Sequence, residues 1–180
     1  MRLVIDANIA QSAGSSDVPI SLYSRECLNA VREHEHIAVF TQQLLDEWGD
    51  HASLFSRQWW RSMVARRRIE YGEGAEFLIH LERACACLAQ DRWKEDLRKD
   101  FHLVRAALAA DQTILSNEIS FPGYLSIAAR TVRVLSALYY ASPAVEGEPC
   151  IEWVRAGTPP SATRRIDVWS ENRPAQDSNQ

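Results

Sequence analysis

The sequence predicts an α/β fold with three layers, in which a central, mostly parallel β-sheet is flanked by helices. Short apolar runs suited to buried strands alternate along the chain with longer stretches of helical periodicity. The 180 residues, 46% hydrophobic and 24% charged, have the size and composition of one well-buried globular domain. We therefore assign residues 1–169 to a single domain.

The first part of the chain is predicted as strand, helix and strand. Leu3–Ile5 is an apolar run too short for a buried helix, and it ends directly on Asp6. Residues 11–18 form a predicted loop and residues 19–33 a helix that begins with proline. Ile37–Phe40 is the second apolar run. Because a helix separates the two strands, they are expected to be parallel with a right-handed crossover.

The next helix is predicted to begin at Thr41, which is placed to cap it. Its apolar residues recur at helical spacing and form one stripe facing the core. They are Leu44, Trp48, Ala52, Phe55 and Trp59. Because the stripe is uninterrupted, one continuous helix is expected across Ala52, with Glu47 beside the stripe.

The rest of the chain is predicted as further helices and two more strands. The helices cover residues 75–89, 91–98, 101–110 and 122–140, the last of them capped by Ser120. The strands are Thr113–Ser116 and an edge strand at Ile151–Val154. The polar residues 170–180 are predicted to be a disordered tail.

The composition disfavours several classes of protein. No apolar stretch approaches the ~20 residues of a membrane span, so no membrane partner is expected. The four cysteines show neither metal-ligand nor disulfide-framework spacing, which favours a reducing, cytoplasmic location. The formal net charge of -4 argues against a protein that coats nucleic acid with its whole surface, but it permits a local basic surface.

Four acidic residues are candidates for a functional site: Asp6, Glu47, Asp100 and Glu118. Asp6 and Glu118 follow predicted strands, at the edge where parallel sheets gather reacting groups, and Asp100 precedes the helix between them. Each residue has a structural alternative. Asp6 would form a turn, Glu47 would be a solvated helix residue, Asp100 would be an N-cap, and Glu118 would be a loop acid. Considered together, the four residues indicate one site.

Four short motifs occur in order around these acids. They are Val4-Ile5-Asp6-Ala7-Asn8, then Thr41 with Leu44-Leu45-Asp46-Glu47-Trp48, then Lys99-Asp100-Phe101-His102-Leu103-Val104 with Ala106-Ala107-Leu108, and finally Ile114-Leu115-Ser116-Asn117-Glu118. In this order the motifs resemble the PIN-domain ribonucleases, a family that includes many toxins of bacterial toxin–antitoxin pairs. The resemblance covers roughly residues 1–125. It departs from the family at Glu118, where the family usually has Asp.

The resemblance implies a PIN-like fold and a divalent-metal-dependent endoribonuclease that hydrolyses RNA phosphodiester bonds, as the toxin of a toxin–antitoxin pair. The implied catalytic residues are Asp6, Glu47, Asp100 and Glu118, with Asp6, Asp100 and Glu118 holding the metal and with Asn8 and His102 supporting the site. Converging carboxylates cannot all stay ionised unaided, and oxygen ligands favour Mg²⁺ or Mn²⁺. Besides RNA, an antitoxin protein and a second copy of the chain are candidate partners.

An arginine-rich segment without acidic residues extends from Ala52 to Ile69. On a continuous helix, Arg57, Arg61 and Arg68 would share one face that could receive RNA phosphates, although a merely solvated helix carries equal weight. The neighbouring tryptophans, Trp59 and Trp60, are expected to be core or dimer contacts.

Two other functions compete with the nuclease. A PIN-like module that binds RNA or protein with little or no turnover remains open, because one acid differs from the family pattern. A phosphatase with Asp6 as nucleophile is disfavoured, because the acid and base expected two residues later is Asn8, whose amide cannot shuttle a proton.

Overall fold

An all-parallel β-sheet forms the centre of the protein, whose computed structural model describes residues 1–169. The strands are β1 (Arg2–Ile5), β2 (Ile37–Phe40), β3 (Ile69–Tyr71), β4 (Thr113–Leu115) and β5 (Tyr139–Ala141). Within the described range they form one five-stranded sheet in the order β3-β2-β1-β4-β5. The predicted α/β fold with a parallel sheet flanked by helices is confirmed, and its architecture is consistent with a three-layer PIN-like fold.

Helices connect and cover the strands. In chain order they are α1 (Ala7–Ser12), α2 (Pro19–Glu33), α3 (Gln42–His51), α4 (Leu54–Ala65), α5 (Leu78–Cys87), α6 (Asp91–Lys99), α7 (Phe101–Ala109), α8 (Phe121–Ala129), α9 (Pro143–Glu146) and α10 (Glu148–Arg155). Short 3₁₀ helices lie at Ala75–Phe77, Arg133–Ala137 and Ile166–Val168.

β1 occupies the middle of the sheet because its apolar residues are buried completely. Leu3, Val4 and Ile5 have no exposed surface, as expected for a parallel strand covered on both faces. Val4 pairs with Val39 of β2 on one side and with Ile114 of β4 on the other. The carboxyl ends of β1 and β4 therefore lie side by side, and this end of the sheet receives the residues that follow each strand.

The helices form two groups. α2 packs against α1, α4, α9 and α10, whereas α7 packs against β1, β2 and β4 and is joined by α5 and α6. The buried apolar residues of strands and helices form one continuous core cluster. Trp59 lies inside this core, where its indole N–H donates to the carbonyl of Leu28 (2.6 Å), so it is a core contact.

The helix predicted across Ala52 is divided in two. α3 ends at His51, and Ser53 begins α4 by accepting a hydrogen bond from the backbone N–H of Ser56. The apolar stripe continues through the break because both helices pack on the same core. A further difference lies before α2, where α1 occupies residues that were expected to begin a loop.

Three other predictions are wrong. Ile151–Val154 is not an edge strand but part of α10, because Cys150, Ile151 and Val154 are buried with the spacing of a helix face. The helix predicted over residues 122–140 ends at Ala129 and is followed by a 3₁₀ turn and by β5, which is the true edge strand. β3 was not predicted either. The predicted tail, residues 170–180, lies outside the described residues.

The outer edge of β5 is partly covered by a later segment. The backbone N–H of Tyr140 donates to the carbonyl of Arg164 (2.8 Å), and that of Ile166 donates to the carbonyl of Leu138 (2.9 Å). Tyr139 and Arg165 thus form an isolated antiparallel bridge beside the parallel sheet. None of the helices over residues 1–169 has the length and apolar character needed to cross a membrane.

Candidate active site

A cavity of about 380 Å³ opens where the carboxyl ends of β1 and β4 meet α6 and α8. Acidic, polar and basic side chains line it. They are Asp6, Asp96, Asp100 and Glu118, then Asn8, Ser120 and Tyr124, then Arg92 and Lys99. The structure thus brings together three of the four predicted acids and the predicted supporting residue Asn8, as the sheet-edge argument requires.

Asp6 is fixed by hydrogen bonds from both sides. Its Oδ1 accepts from the backbone N–H of Asn8 (3.2 Å), so Asp6 caps α1, which was its structural alternative. Its Oδ2 accepts from the hydroxyl of Ser116 (2.6 Å). Capping and cavity lining are therefore compatible roles for the same carboxylate.

Ser116 joins the ends of the two neighbouring strands. In addition to its bond to Asp6, its hydroxyl oxygen accepts from the side-chain amide of Asn8 (3.1 Å) and from the backbone N–H of Glu118 (3.0 Å). Asn8 in turn accepts from the backbone N–H of Asn117 (3.0 Å). This network was not predicted as part of the site. The only sequence signal for it is a buried serine at the end of the fourth apolar run.

Asp100 lies between α6 and α7, and its side chain makes no capping hydrogen bond. Its Oδ2 instead accepts from the hydroxyl of Tyr124 on α8 (3.1 Å). The structural alternative, an N-cap role for this carboxylate, is therefore wrong. Tyr124 was not predicted as a site residue, because nothing in the sequence indicates that α8 faces Asp100.

Glu47 stands beside the cavity rather than on its lining. α3 is anchored to the end of β1 by the indole N–H of Trp48, which donates to the carbonyl of Ile5 (3.0 Å). The preceding residue, Glu47, accepts from the side-chain amide of Gln43 (3.1 Å), and its Oε2 lies 3.2 Å from Nε2 of His102. Glu47 is thus placed by contacts with α7 and by its own helix.

His102 is buried, and its ring links α7 to Glu47. Nδ1 lies 2.9 Å from the carbonyl of Lys99, which can only accept, so Nδ1 carries a proton. Nε2 is within ion-pair distance of Glu47 but is not aligned for a hydrogen bond. This contact is attractive only when a proton resides on Nε2 or on the carboxyl group. His102 therefore supports Glu47 from behind and does not line the cavity.

Glu118 is the most exposed of the four acids. Its Oε1 accepts from both the backbone N–H (3.1 Å) and the hydroxyl (2.7 Å) of Ser120. Its backbone carbonyl accepts from the hydroxyl of Tyr140 (2.5 Å). The backbone position of Glu118 is fixed by the sheet, whereas its carboxylate is bound locally while lining the cavity.

The acids influence one another electrostatically. Burial raises the pKa of Asp100 to about 7, and the negative charges of Asp6, Glu118 and Glu47 add to this effect, while the Tyr124 hydrogen bond opposes it. Burial also raises the pKa of Asp6, against the hydrogen bonds from Ser116 and Asn8. The pKa of Tyr124 is raised by burial and by the adjacent Asp100. The site therefore favours bound positive charge, whether a proton or a cation.

The chemistry of these side chains fits a hard divalent cation. The acids of the cavity offer only oxygen atoms, which suits Mg²⁺ or Mn²⁺, and a cation would replace the proton that Asp100 otherwise retains near neutral pH. Across residues 1–169, no three Asp, Glu, His or Cys side chains form a ready-made ligand cluster. The residues supply suitable ligands rather than a preformed cage.

The predicted RNA-binding arginines do not share one helix face. α4 ends at Ala65, and Arg68 lies beyond it, where its guanidinium contacts Glu35 (2.8 Å) and the carbonyl of Arg32 (3.2 Å). Arg57 and Arg61 line a separate cavity of about 270 Å³ with Trp48 and Trp60. The expectation of a continuous helix through Arg68 is therefore wrong, and its physical reason is the turn at Arg67, where φ is 58°.

Comparisons of the chain with protein-family models, with curated proteins and with solved structures find no match. The site therefore has to be interpreted from its own geometry and chemistry.

Proposed function

We propose that this protein is a divalent-metal-dependent endoribonuclease with a PIN-like site. The observation that carries the proposal is the cavity at the carboxyl ends of β1 and β4, where Asp6, Asp100 and Glu118 converge. The raised pKa of Asp100 supports it, because a site that favours positive charge is suited to a metal ion and to the handling of a phosphodiester.

The chain's own residues would divide the work. Asp6 and Asp100 would hold the ion, with Glu118 at its outer side, while Ser116 and Tyr124 keep the first two carboxylates in position. When bound, Mg²⁺ or Mn²⁺ would supply an activated water and stabilise the charge that develops on the phosphodiester. Glu47 stands beside the cavity as a group that orients water.

Cleavage of a labelled single-stranded RNA by purified protein tests this function. Cleavage is expected with Mn²⁺ or Mg²⁺, and it should fall to the level seen with EDTA in Asp6→Asn and Asp100→Asn. Asp111→Asn is the matched control, because Asp111 pairs with Arg2 at the other end of β4 (2.9 Å) and its substitution makes the same change from carboxylate to amide. Equal cleavage by Asp100→Asn and Asp111→Asn would contradict the proposal.

A binding module with weak or no turnover is the second candidate, and the hydrogen bonds from Ser120 to Glu118 favour it, because they hold this carboxylate away from a ligand role. If Glu118 acts in the site, Glu118→Gln should cost more activity than Glu118→Asp, because the carboxylate matters more than its reach. Single-turnover cleavage at several Mn²⁺ concentrations distinguishes the two functions. Near-normal rates in both variants would remove Glu118 from the site.

A role as the toxin of a toxin–antitoxin pair belongs to the same proposal. Its support is the motif order, and a gene for a small DNA-binding protein immediately upstream would be the expected companion.

A further inference from the structure

Two cations line the acidic cavity on a helix that the sequence did not associate with it. Arg92 and Lys99 lie on α6 and border the same cavity as Asp6, Asp100 and Glu118. Their side chains are 87% and 73% exposed, respectively. The cavity therefore combines buried or half-buried negative charge with an exposed basic rim, formed by Arg92 and Lys99.

The basic rim is paired internally, but only loosely. Nε of Arg92 lies 3.7 Å from Oδ2 of Asp96, and Nζ of Lys99 lies 3.4 Å from Oδ1 of the same residue. Spacings of four and three residues place all three side chains on one face of α6. Exposed ion pairs of this length are weak, so a stronger anion can take the place of Asp96.

We propose that Arg92 and Lys99 bind the RNA phosphates that flank the scissile bond, so that the strand runs along α6. This inference rests on the proposed ribonuclease function. The acids of the cavity serve the bond that is cut, and the neighbouring phosphates keep their negative charge, which repels Asp6, Asp100 and Glu118. Cations at the rim offset that repulsion and fix the position of the strand, which is the usual task of phosphate contacts.

The geometry distinguishes this path from the one the arginine-rich segment suggests. Arg57 and Arg61 border the other cavity, whose lining contains none of the four acids. Nε of Arg57 also donates to the carbonyl of Ala52 (3.0 Å), at the end of α3. The two cations on α6, by contrast, share a single cavity with the acids.

Binding of a fluorescein-labelled single-stranded RNA dodecamer, measured by anisotropy in Ca²⁺ buffer between 50 and 200 mM salt, tests the proposal. The double variant R92Q/K99Q should raise Kd about five- to thirtyfold, as expected for two lost exposed ion contacts. The slope of log K against log salt should flatten by about 1.4, because each phosphate contact to a single strand contributes about 0.7. Asp96→Asn removes the internal competitor and should lower Kd about two- to fivefold.

The matched control is R130Q/R133Q, which removes the same charge from exposed residues outside the acidic cavity. Its Kd should change less than twofold, and thermal unfolding should show that all variants are folded. Equal weakening by the two double variants, or unchanged binding by R92Q/K99Q, would overturn the rim assignment. Cleavage by the unsubstituted protein separates the two ideas. Cleavage with an idle rim refutes only the rim, whereas rim-dependent binding without metal-dependent cleavage refutes only the nuclease.

Discussion

Single residues of the site serve the fold and the site at once. Asp6 caps α1 with one carboxylate oxygen and accepts from Ser116 with the other. Asp100 stands between two helices, yet its carboxylate bonds to Tyr124 instead of capping α7. The cost of placing Asp100 there is visible in its pKa, which burial and the neighbouring acids raise to about 7.

The first prediction concerns the pH dependence of stability in metal-free protein. The pKa of Asp100 is about 7 in the folded state against the model value 3.8. Between these values the unfolded chain releases the proton and the folded chain keeps it, so stability falls as pH rises. The loss should total at most about 4 kcal/mol and should be complete above pH 7. Urea unfolding in EDTA from pH 5 to 8 should show this decline, and Asp100→Asn should abolish it.

Asp111→Asn provides the opposite sign. Burial raises the pKa of Asp111, but hydrogen bonds from the backbone and guanidinium of Arg2 lower it overall. Its titration therefore lies below pH 5, and the variant should lose a constant amount of stability across the same range. Parallel pH profiles for the unsubstituted protein and Asp100→Asn would contradict the assignment of the decline to Asp100.

At the scale of elements, the connection between β3 and α5 determines how closely the chain approaches α7. Gly74 has φ 55°, and a Cβ atom there would lie 2.3 Å from the carbonyl oxygen of Arg105. Arg105 belongs to α7, the helix that also carries His102. The close approach of this connection to α7 thus depends on a residue without a side chain.

The second prediction compares two glycines. Gly74→Ala should destabilise the protein by roughly 2–4 kcal/mol, because the backbone conformation is left-handed and the added carbon meets backbone atoms. Gly49→Ala should stabilise it by about 0.5–1 kcal/mol, because Gly49 lies within α3 and an added Cβ meets nothing within 4 Å. Chemical denaturation measures both, and equal effects would show that the contact with Arg105 does not restrain this connection.

Elements were predictable where the apolar pattern is long or ends on a distinctive residue. β1, β2, β4, α2 and α7 followed from such patterns, and with them the meeting of Asp6, Asp100 and Glu118. β3 and β5 have three residues each and are too short to show a period. The run Ile151–Val154 fits a strand or a helix turn equally, and only its packing in α10 decides. Arg92 and Lys99 could not be singled out, because α6 is charged along its length.

At the scale of the whole molecule, occupation of the site should be coupled to global stability. The third prediction is that Mn²⁺ raises the unfolding free energy at pH 8 by about 2.7 kcal/mol at a hundredfold excess over Kd. Differential scanning fluorimetry should show a higher Tm for the unsubstituted protein and for Asp111→Asn. Asp100→Asn should show little change, because it lacks a ligand and the charge that the ion relieves. An equal rise in all three proteins would place the ion elsewhere.

The segment that bridges β5 has a consequence for self-association. A sheet edge with unpaired backbone groups is a template for strands of other molecules. Residues 164–166 occupy part of that template at β5, through backbone hydrogen bonds that involve Tyr140 and Leu138. A chain shortened to residue 160 should therefore keep its parallel sheet but join edge to edge at high concentration. Light scattering after size exclusion would detect the larger species, which a single charge such as Tyr139→Lys at the same edge should suppress.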